Sequence, residues 1–160
     1  IAGHSERRAQ GESDADVSLK VASILKEKMI PILCIGEKEH DSAGAYLEIL
    51  QNQLLNSLSG VPTSSFKSII IAYEPIWAIG KEEKDAMNSR MLHETSIFIR
   101  KILNDKFGKL AKGVKIIYGG AVSEDNAYDL VHDGEVDGLL VGHHSLKPTD
   151  FKKIIMEVGK

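Results

Sequence analysis

The sequence predicts an α/β fold in which short parallel strands are joined by helices. Four apolar runs that favour β-structure stand at 29–35, 68–73, 114–118 and 136–141. Continuous apolar runs of this length are typical of strands buried on both faces of a parallel sheet. Helical patterns lie before, between and after these runs, so the order is a short stub followed by α-β-α-β-α-β-α-β-α. Such alternation predicts parallel strands connected by right-handed helical crossovers.

Apolar residues at helical spacing predict five helices. The first carries Val17, Val21 and Ile24, and Ser13 with Asp16 forms a possible capping box at its start. The other apolar stripes are Leu47, Leu50, Leu54 and Leu58; Met91, Leu92, Phe98, Ile99, Ile102 and Leu103; Ala127, Leu130 and Val131; and Phe151, Ile154, Ile155 and Val158. Gly60 and Gly108 are expected to end the second and third helices. Ser123 and Thr149 are expected to cap the last two.

The composition indicates one domain, residues 1–160, with a sizeable core. The net charge of −3, with acids and bases interspersed, argues against a nucleic-acid surface or a basic membrane patch. No apolar run is long enough to span a bilayer. The single Cys34 cannot form an internal disulfide, so we expect a reducing, cytoplasmic compartment. The chain opens at Ile1, directly in a polar motif, as if it continued a longer sequence.

Glu74 is the first candidate for chemistry, because it stands where the second predicted strand ends. Pro75 follows and cannot extend the strand's hydrogen bonding. Ile76, Trp77 and Ile79 are too apolar for an ordinary solvated loop. A loop of this kind could keep water from the carboxylate, which would raise its pKa and make it a better base. A helix-capping or salt-bridged glutamate is the alternative, and this stretch alone leaves both open.

Other candidates lie at the remaining strand ends, where sites of parallel α/β proteins form. His4 follows Gly3, and two glycine turns, Gly119-Gly120-Ala121 and Gly142-His143, come just before helix starts. Free N–H groups in such turns can hold an anion such as a phosphate, although each turn alone could be only a tight connection. Cys34 is interpreted as a packing residue. No group of His, Cys, Asp and Glu has convincing metal spacing, so no metal or cofactor is expected.

Several long motifs resemble triosephosphate isomerase in their order and spacing. The resemblance covers the whole chain, from that family's fourth strand to its last helix. The motifs are Gly3-His4-Ser5-Glu6-Arg7-Arg8, Cys34-Ile35-Gly36-Glu37, Tyr73-Glu74-Pro75-Ile76-Trp77-Ala78-Ile79-Gly80, Tyr118-Gly119-Gly120, Asp137-Gly138-Leu139-Leu140-Val141-Gly142 and Ser145-Leu146-Lys147-Pro148.

The resemblance implies part of a (β/α)8 barrel, about four and a half βα units of a TIM barrel. It also implies the cofactor-free interconversion of dihydroxyacetone phosphate and glyceraldehyde 3-phosphate, a step of glycolysis and gluconeogenesis. Glu74 would be the base and His4 the neutral electrophile, a division of roles for which this family is a standard example. Backbone N–H groups of Gly80, Ala121, Gly142 and His143 would hold the phosphate of the triose substrate. Ser5 and Glu6 would be supporting residues, and residues around Gly80 would form a lid.

The sequence departs from the family in ways that bear on activity. The first three βα units are not in these 160 residues, and with them the Asn-x-Lys motif whose Lys binds phosphate and stabilises the developing oxyanion. The third βα loop, through which the family dimerises, is also not among them. Ala121 stands in place of a serine, His143 in place of a second glycine, and the lid reads Lys81-Glu82-Glu83-Lys84-Asp85, more charged than usual. We therefore expect the chain alone to be inactive.

The alternative is a non-catalytic half-barrel that self-associates or binds phosphate. An open barrel has two sheet edges, at 29–35 and 136–141, and such edges favour pairing with another chain. Ile70, Ala72, Ile117 and Leu140, or the alternate residues of their strands, are expected to face water on the open barrel side. The sequence therefore predicts a homodimer or larger assembly, formed through strand edges and the open barrel face. The alternative is that the sheet flattens into an open doubly wound layer.

Overall fold

Four short parallel strands form the sheet, in the same order as in the chain. The computed structural model describes residues 1–81 and 86–160. The strands are β1, Ile32–Ile35; β2, Ile70–Tyr73; β3, Lys115–Tyr118; and β4, Gly138–Leu139. Cys34 lies beside Ala72, and Tyr73 lies beside both Ile35 and Tyr118. The predicted α/β fold with parallel strands is confirmed.

The described residues form six α-helices, of which two precede β1 and one follows each strand. They are α1, Ser5–Ala9; α2, Asp14–Lys26; α3, Ala45–Ser57; α4, Ser89–Phe107; α5, Ala127–His132; and α6, Pro148–Val158. Short 3-10 helices cover Thr63–Ser68, Ile76–Ala78, Gly108–Gly113 and His143–Leu146. The short helix α1, directly after the opening stub, is an addition to the predicted order.

Two of the predicted helix boundaries are formed by the residues expected. The Ser13 side chain accepts the N–H of Asp16, and the Asp16 carboxylate accepts the N–H of Ser13, which completes the capping box of α2. Helix α4 ends at Gly108, whose φ of 59° lies in the left-handed region that favours glycine.

Two predicted caps are wrong. Ser123 does not cap α5, because that helix begins only after Asn126; the Ser123 hydroxyl accepts the N–H of Asp125 in the preceding turn. Thr149 lies inside α6, which begins at Pro148. Proline suits the first helical position, since its fixed φ is already helical and the missing N–H would have no partner there.

The strands are shorter than the apolar runs that predicted them. Met29 and Ile30 are exposed and precede β1, and Pro31 separates them from it. In the last run only Gly138 and Leu139 pair with β3. The apolar runs therefore extend beyond the residues that pair in the sheet. Apolar composition indicates a tendency to be buried and does not show which residues form hydrogen bonds between strands.

The core lies between the sheet and the helices. Strand side chains on this face, including Leu33, Ile71 and Ile116, pack with helix residues such as Leu54 and Ile99. On the other face Ile70, Ile117 and Leu140 are half-buried, which leaves part of their surface open as predicted. The same expectation is wrong for Ala72, which is fully buried. Its methyl group is small and lies in register between Cys34 and Ile117, which shield it.

Both outer strands have largely open edges. On one side the stub makes a single bridge, from Ala2 to Leu33, through Ala2 N–H to Ile32 O and Cys34 N–H to Ala2 O. On the other side β4 pairs only with β3 within the described sheet. The described strands therefore form an open sheet.

Within the described ranges, none of the helices has the length and apolar content needed to cross a membrane.

Candidate active site

The loops that follow the carboxyl ends of the strands meet at one edge of the sheet. Glu74 directly follows β2, Glu37 follows β1 after Gly36, and Gly119 directly follows β3. His4 follows the stub that bridges to β1. Parallel pairing brings these residues together although they are far apart in the sequence.

Glu74 is almost fully buried and is held through both carboxylate oxygens. Its Oε1 lies 3.2 Å from Nε2 of His4. Its Oε2 accepts the backbone N–H of Ser5 at 3.1 Å. Only 3% of its surface is exposed. The sequence left open whether Glu74 forms a salt bridge or acts as a base. In the structure both interpretations involve the same contact, the one between Glu74 and His4.

Burial raises the pKa of Glu74 above its usual value, because a charged carboxylate loses its hydration there. His4, the Ser5 N–H, the Cys34 thiol and Arg8 act in the opposite direction but do not cancel the effect of burial. A carboxylate with a raised pKa holds a proton more strongly and is a stronger base when ionised.

The geometry of His4 favours one tautomer. His4 is the N-cap of α1, and its Nδ1 accepts the N–H of Glu6 at 3.4 Å. An accepting Nδ1 carries no hydrogen, so the proton of the neutral ring is on Nε2, which faces Glu74. The ring therefore presents an N–H donor towards the site.

Ser5 and Glu6 support the pair through their backbone. The Ser5 N–H binds the Glu74 carboxylate and the Glu6 N–H binds the His4 ring, while the Glu6 side chain is exposed. Cys34 is fully buried and lies near Glu74. Burial, and after it the Glu74 carboxylate, raise the pKa of that thiol far above its usual range. Cys34 is thus a neutral packing neighbour and not a nucleophile.

Glycines leave the space that Glu74 occupies. A Cβ at Gly119 would lie 2.9 Å from Cγ of Glu74 and 3.5 Å from its Oε1. A Cβ at Gly36, on the other neighbouring strand, would lie 1.8 Å from the Glu74 carbonyl oxygen. Sequence reasoning treated Gly119 only as a turn residue and gave Gly36 no structural role. Their role depends on strand register, which places each of them opposite Glu74.

A second buried carboxylate, Glu37, holds the turn that follows Glu74. Its Oε1 accepts the Tyr73 hydroxyl at 2.9 Å and the Trp77 indole N–H at 2.8 Å, and lies 3.1 Å from Nδ1 of His40. Its backbone carbonyl accepts the N–H of Ile76. Sequence reasoning gave Glu37 and His40 no role. An acid directly after a buried strand was the signal used for Glu74, and it applied equally to Glu37.

The residues expected to hold a phosphate follow neighbouring strands. The turn at 119–121 follows β3 and Gly142 follows the adjacent strand β4, so the two turns share one edge of the sheet. Gly142 and His143 are exposed, and Gly80 is exposed with a φ of 70°. Most of the charged lid sequence, 82–85, lies outside the described residues. Over the described part of the chain, no three or more His, Cys, Asp and Glu side chains are grouped so that they could hold a metal ion.

Comparisons with known proteins identify one family. A family model described as triosephosphate isomerase matches residues 1–158. The triosephosphate isomerase of Saccharopolyspora erythraea is 40% identical over 157 residues, covering 96% of this chain and 59% of the relative. That of Francisella philomiragia is 40% identical over 162 residues, covering 100% and 63%. The chain therefore spans about 60% of the length of these relatives.

A solved structure gives the same result for the fold. The crystal structure of triosephosphate isomerase from Bartonella henselae superposes with a TM-score of 0.86 at 36% identity, covering 100% of this chain and 64% of that one. The four strands and their helices thus match part of a TIM barrel. Because the family model matches nearly the whole chain, the chain belongs to the triosephosphate isomerase family.

Proposed function

We propose that Glu74 and His4 form the catalytic pair for the interconversion of dihydroxyacetone phosphate and glyceraldehyde 3-phosphate. The observation that carries the proposal is the buried contact between them: Glu74 Oε1 lies 3.2 Å from His4 Nε2 at the carboxyl edge of the sheet. Both groups can reach one small substrate there, as general acid–base chemistry requires.

The two side chains have complementary roles. Glu74 takes a proton from C1 of dihydroxyacetone phosphate and returns it to C2, so the base is regenerated. The Nε2–H of His4 donates to the carbonyl oxygen O2 while negative charge develops on it, and this stabilises the enediolate. His4 gives this proton to O2 and takes the proton of the O1 hydroxyl in return, so the ring ends neutral and the aldehyde forms at C1. The bond from Ser5 N–H and the space at Gly119 orient the carboxylate. The reaction needs no cofactor.

The phosphate of the substrate is assigned to the two glycine turns. Backbone N–H groups of Gly80, Ala121, Gly142 and His143 would surround the phosphate, since N–H groups at such turns favour anions. Adjacency of β3 and β4 supports one shared phosphate. We place the protein in the cytoplasm, where phosphorylated trioses are metabolised.

We expect these 160 residues alone to lack turnover, because they do not include the lysine that the family uses at the phosphate. The test is an isomerase assay on the chain, and then on the chain mixed with a polypeptide that carries the family's first three βα units. Activity should appear only in the mixture and should be lost with Glu74→Ala. Full turnover by the chain alone, or unchanged complemented activity of Glu74→Ala, would overturn the proposal.

A non-catalytic, self-associating half-barrel is the second candidate, and the open sheet edges favour it. The outer edge of β1 is covered by one bridge, and β4 has only two paired residues. Two copies related by a two-fold axis along the barrel could bring β4 of each beside β1 of the other and supply eight strands. Sedimentation at low micromolar concentration tests this, since a stable monomer with protected β1 amides contradicts it. Phosphate titration followed at Gly142 tests ligand binding separately from turnover.

A further inference from the structure

The cluster around Glu37 contains a titratable residue that the proposed reaction does not use. The His40 ring is mostly buried and lies between two aromatic rings: its centroid is 3.8 Å from that of Tyr46 and 5.3 Å from that of Trp77. Its Nδ1 is 3.1 Å from Glu37 Oε1. One histidine therefore contacts both the indole ring and the carboxylate that binds the indole N–H.

The proton on His40 Nδ1 follows from these contacts. A bare Nδ1 would direct its lone pair at the lone pairs of the Glu37 carboxylate, so Nδ1 carries a hydrogen and donates it. Three donors then converge on Glu37 Oε1, namely Tyr73, Trp77 and His40, whereas Glu37 Oε2 is buried without a hydrogen-bond partner. A small rotation of the Glu37 carboxylate would let Oε2 accept one of these three hydrogen bonds.

A positive charge on His40 strengthens both of its contacts. The bond to Glu37 becomes charge-assisted, and such bonds are about twice as strong as neutral ones. A cation within about 6 Å of a tryptophan ring centre is attracted by the ring face. Both effects hold Trp77, and with it the short helix Ile76–Ala78 that begins two residues after Glu74.

The other ionisable groups around the ring do not reverse this effect. Asp41, on the same loop, accepts the N–H groups of Ala45 and Tyr46 and adds negative charge. Glu94 of α4 acts electrostatically on Tyr46 and adds more. Burial and Glu37 raise the pKa of Tyr73, which keeps that phenol neutral. Asp41 and Glu94 thus add negative charge near the ring, as Glu37 does.

We propose that His40 is a proton-operated clamp on Trp77: the imidazolium holds the Ile76–Ala78 helix against Glu37, and the neutral ring releases it. The clamp determines how rigidly the Ile76–Ala78 helix is held, two residues after the proposed catalytic carboxylate Glu74. It is a positioning device, and it operates whether or not the chain turns over substrate.

The test uses Trp77, the only tryptophan in the chain, as a fluorescent reporter. If the clamp operates, the emission of Trp77 should follow a single one-proton transition as the pH is varied. Hydrogen-exchange protection of the Ala78 and Ile79 amides, which bond to Pro75 and Ile76 carbonyls, should be about two- to five-fold higher at the acid end.

Three variants separate the clamp from other causes. His40→Gln should abolish both the fluorescence transition and the pH dependence of protection. His40→Arg, a permanent cation, should show the high protection of the acid form at every pH. His132→Gln is the matched control, because that ring also stacks on a tyrosine, Tyr128, in a different helix, and it should behave like the parent.

Retention of the transition in His40→Gln, or equal protection at both pH values in the parent, would overturn the proposal. If His40→Gln fails to fold by circular dichroism, His40→Arg decides the question, because a pH-dependent protection in that variant contradicts the clamp.

Discussion

Gly119→Ala is the most direct test of how the site is built. The new Cβ would lie 2.9 Å from Cγ of Glu74, whereas carbon atoms pack best at about 3.5–4.0 Å. The Glu74 side chain would therefore have to move by about 0.6–1.1 Å. It cannot do so freely, because His4 and the Ser5 N–H hold its two oxygens at 3.2 and 3.1 Å.

The expected cost has two measurable parts. A displacement of about 1 Å at a catalytic group lowers rates by about 100-fold, so turnover of the chain complemented with the family's missing units should fall by that order. Overpacking a buried site also lowers the free energy of unfolding by about 1–3 kcal/mol, which urea denaturation measures without any activity.

Gly113→Ala is the matched control for this change. Gly113 is exposed and remote from Glu74, and a Cβ there would meet only Cβ of Lys67, at an ordinary 3.7 Å. This variant should keep its turnover and gain about 0.4–1 kcal/mol of stability, because alanine restricts the unfolded chain. If Gly119→Ala behaves like Gly113→Ala in both assays, the close approach of strand β3 does not position Glu74.

Three further predictions concern stability. Phe66→Ala should cost about 3–5 kcal/mol in chemical denaturation, because Phe66 is fully buried and stacks on Phe107 at 4.0 Å; a cost below about 1 kcal/mol would contradict the packing. Asn88→Ala should cost about 1 kcal/mol, because Asn88 Oδ1 caps α4 through the N–H of Met91, and an unchanged melting temperature would argue against that cap. Burial raises the pKa of Glu74 in the folded state, so the proton that Glu74 holds stabilises the fold below pH 4.5. This contribution is lost as the pH rises through the raised pKa, whereas glutamine stays neutral at every pH. The melting temperature of Glu74→Gln relative to the parent should therefore increase from about pH 4 to 7, and a constant difference would contradict the raised pKa.

The sequence predicted those features that depend on neighbours along the chain. The Ser13 capping box, the glycine end of α4 and the position of Glu74 after β2 each depend on residues within a few positions of one another. The strand limits were predicted less well, because exposed Met29 and Ile30 are as apolar as the paired residues beyond Pro31.

The contacts that define the site depend on register between strands and could not be deduced locally. Gly119 lies opposite Glu74 only because Tyr73 pairs with Tyr118. Likewise, Trp77 reaches Glu37 because the main chain after β2 returns to the loop after β1, where Ile76 N–H binds Glu37 O. A sequence motif can mark both loops but contains no information on which atoms meet between them.

The two buried carboxylates differ in the groups that surround their oxygens. Glu37 and Glu74 follow neighbouring strands, and each is nearly inaccessible to solvent. Three donors surround one oxygen of Glu37, two of them from the large rings of Tyr73 and Trp77, so this carboxylate is fixed as an anchor. Glu74 has one backbone N–H and one imidazole as partners, and burial raises its pKa. Fewer donors thus face Glu74 than Glu37, and a raised pKa gives Glu74 the basicity that the proposed proton transfer from carbon requires.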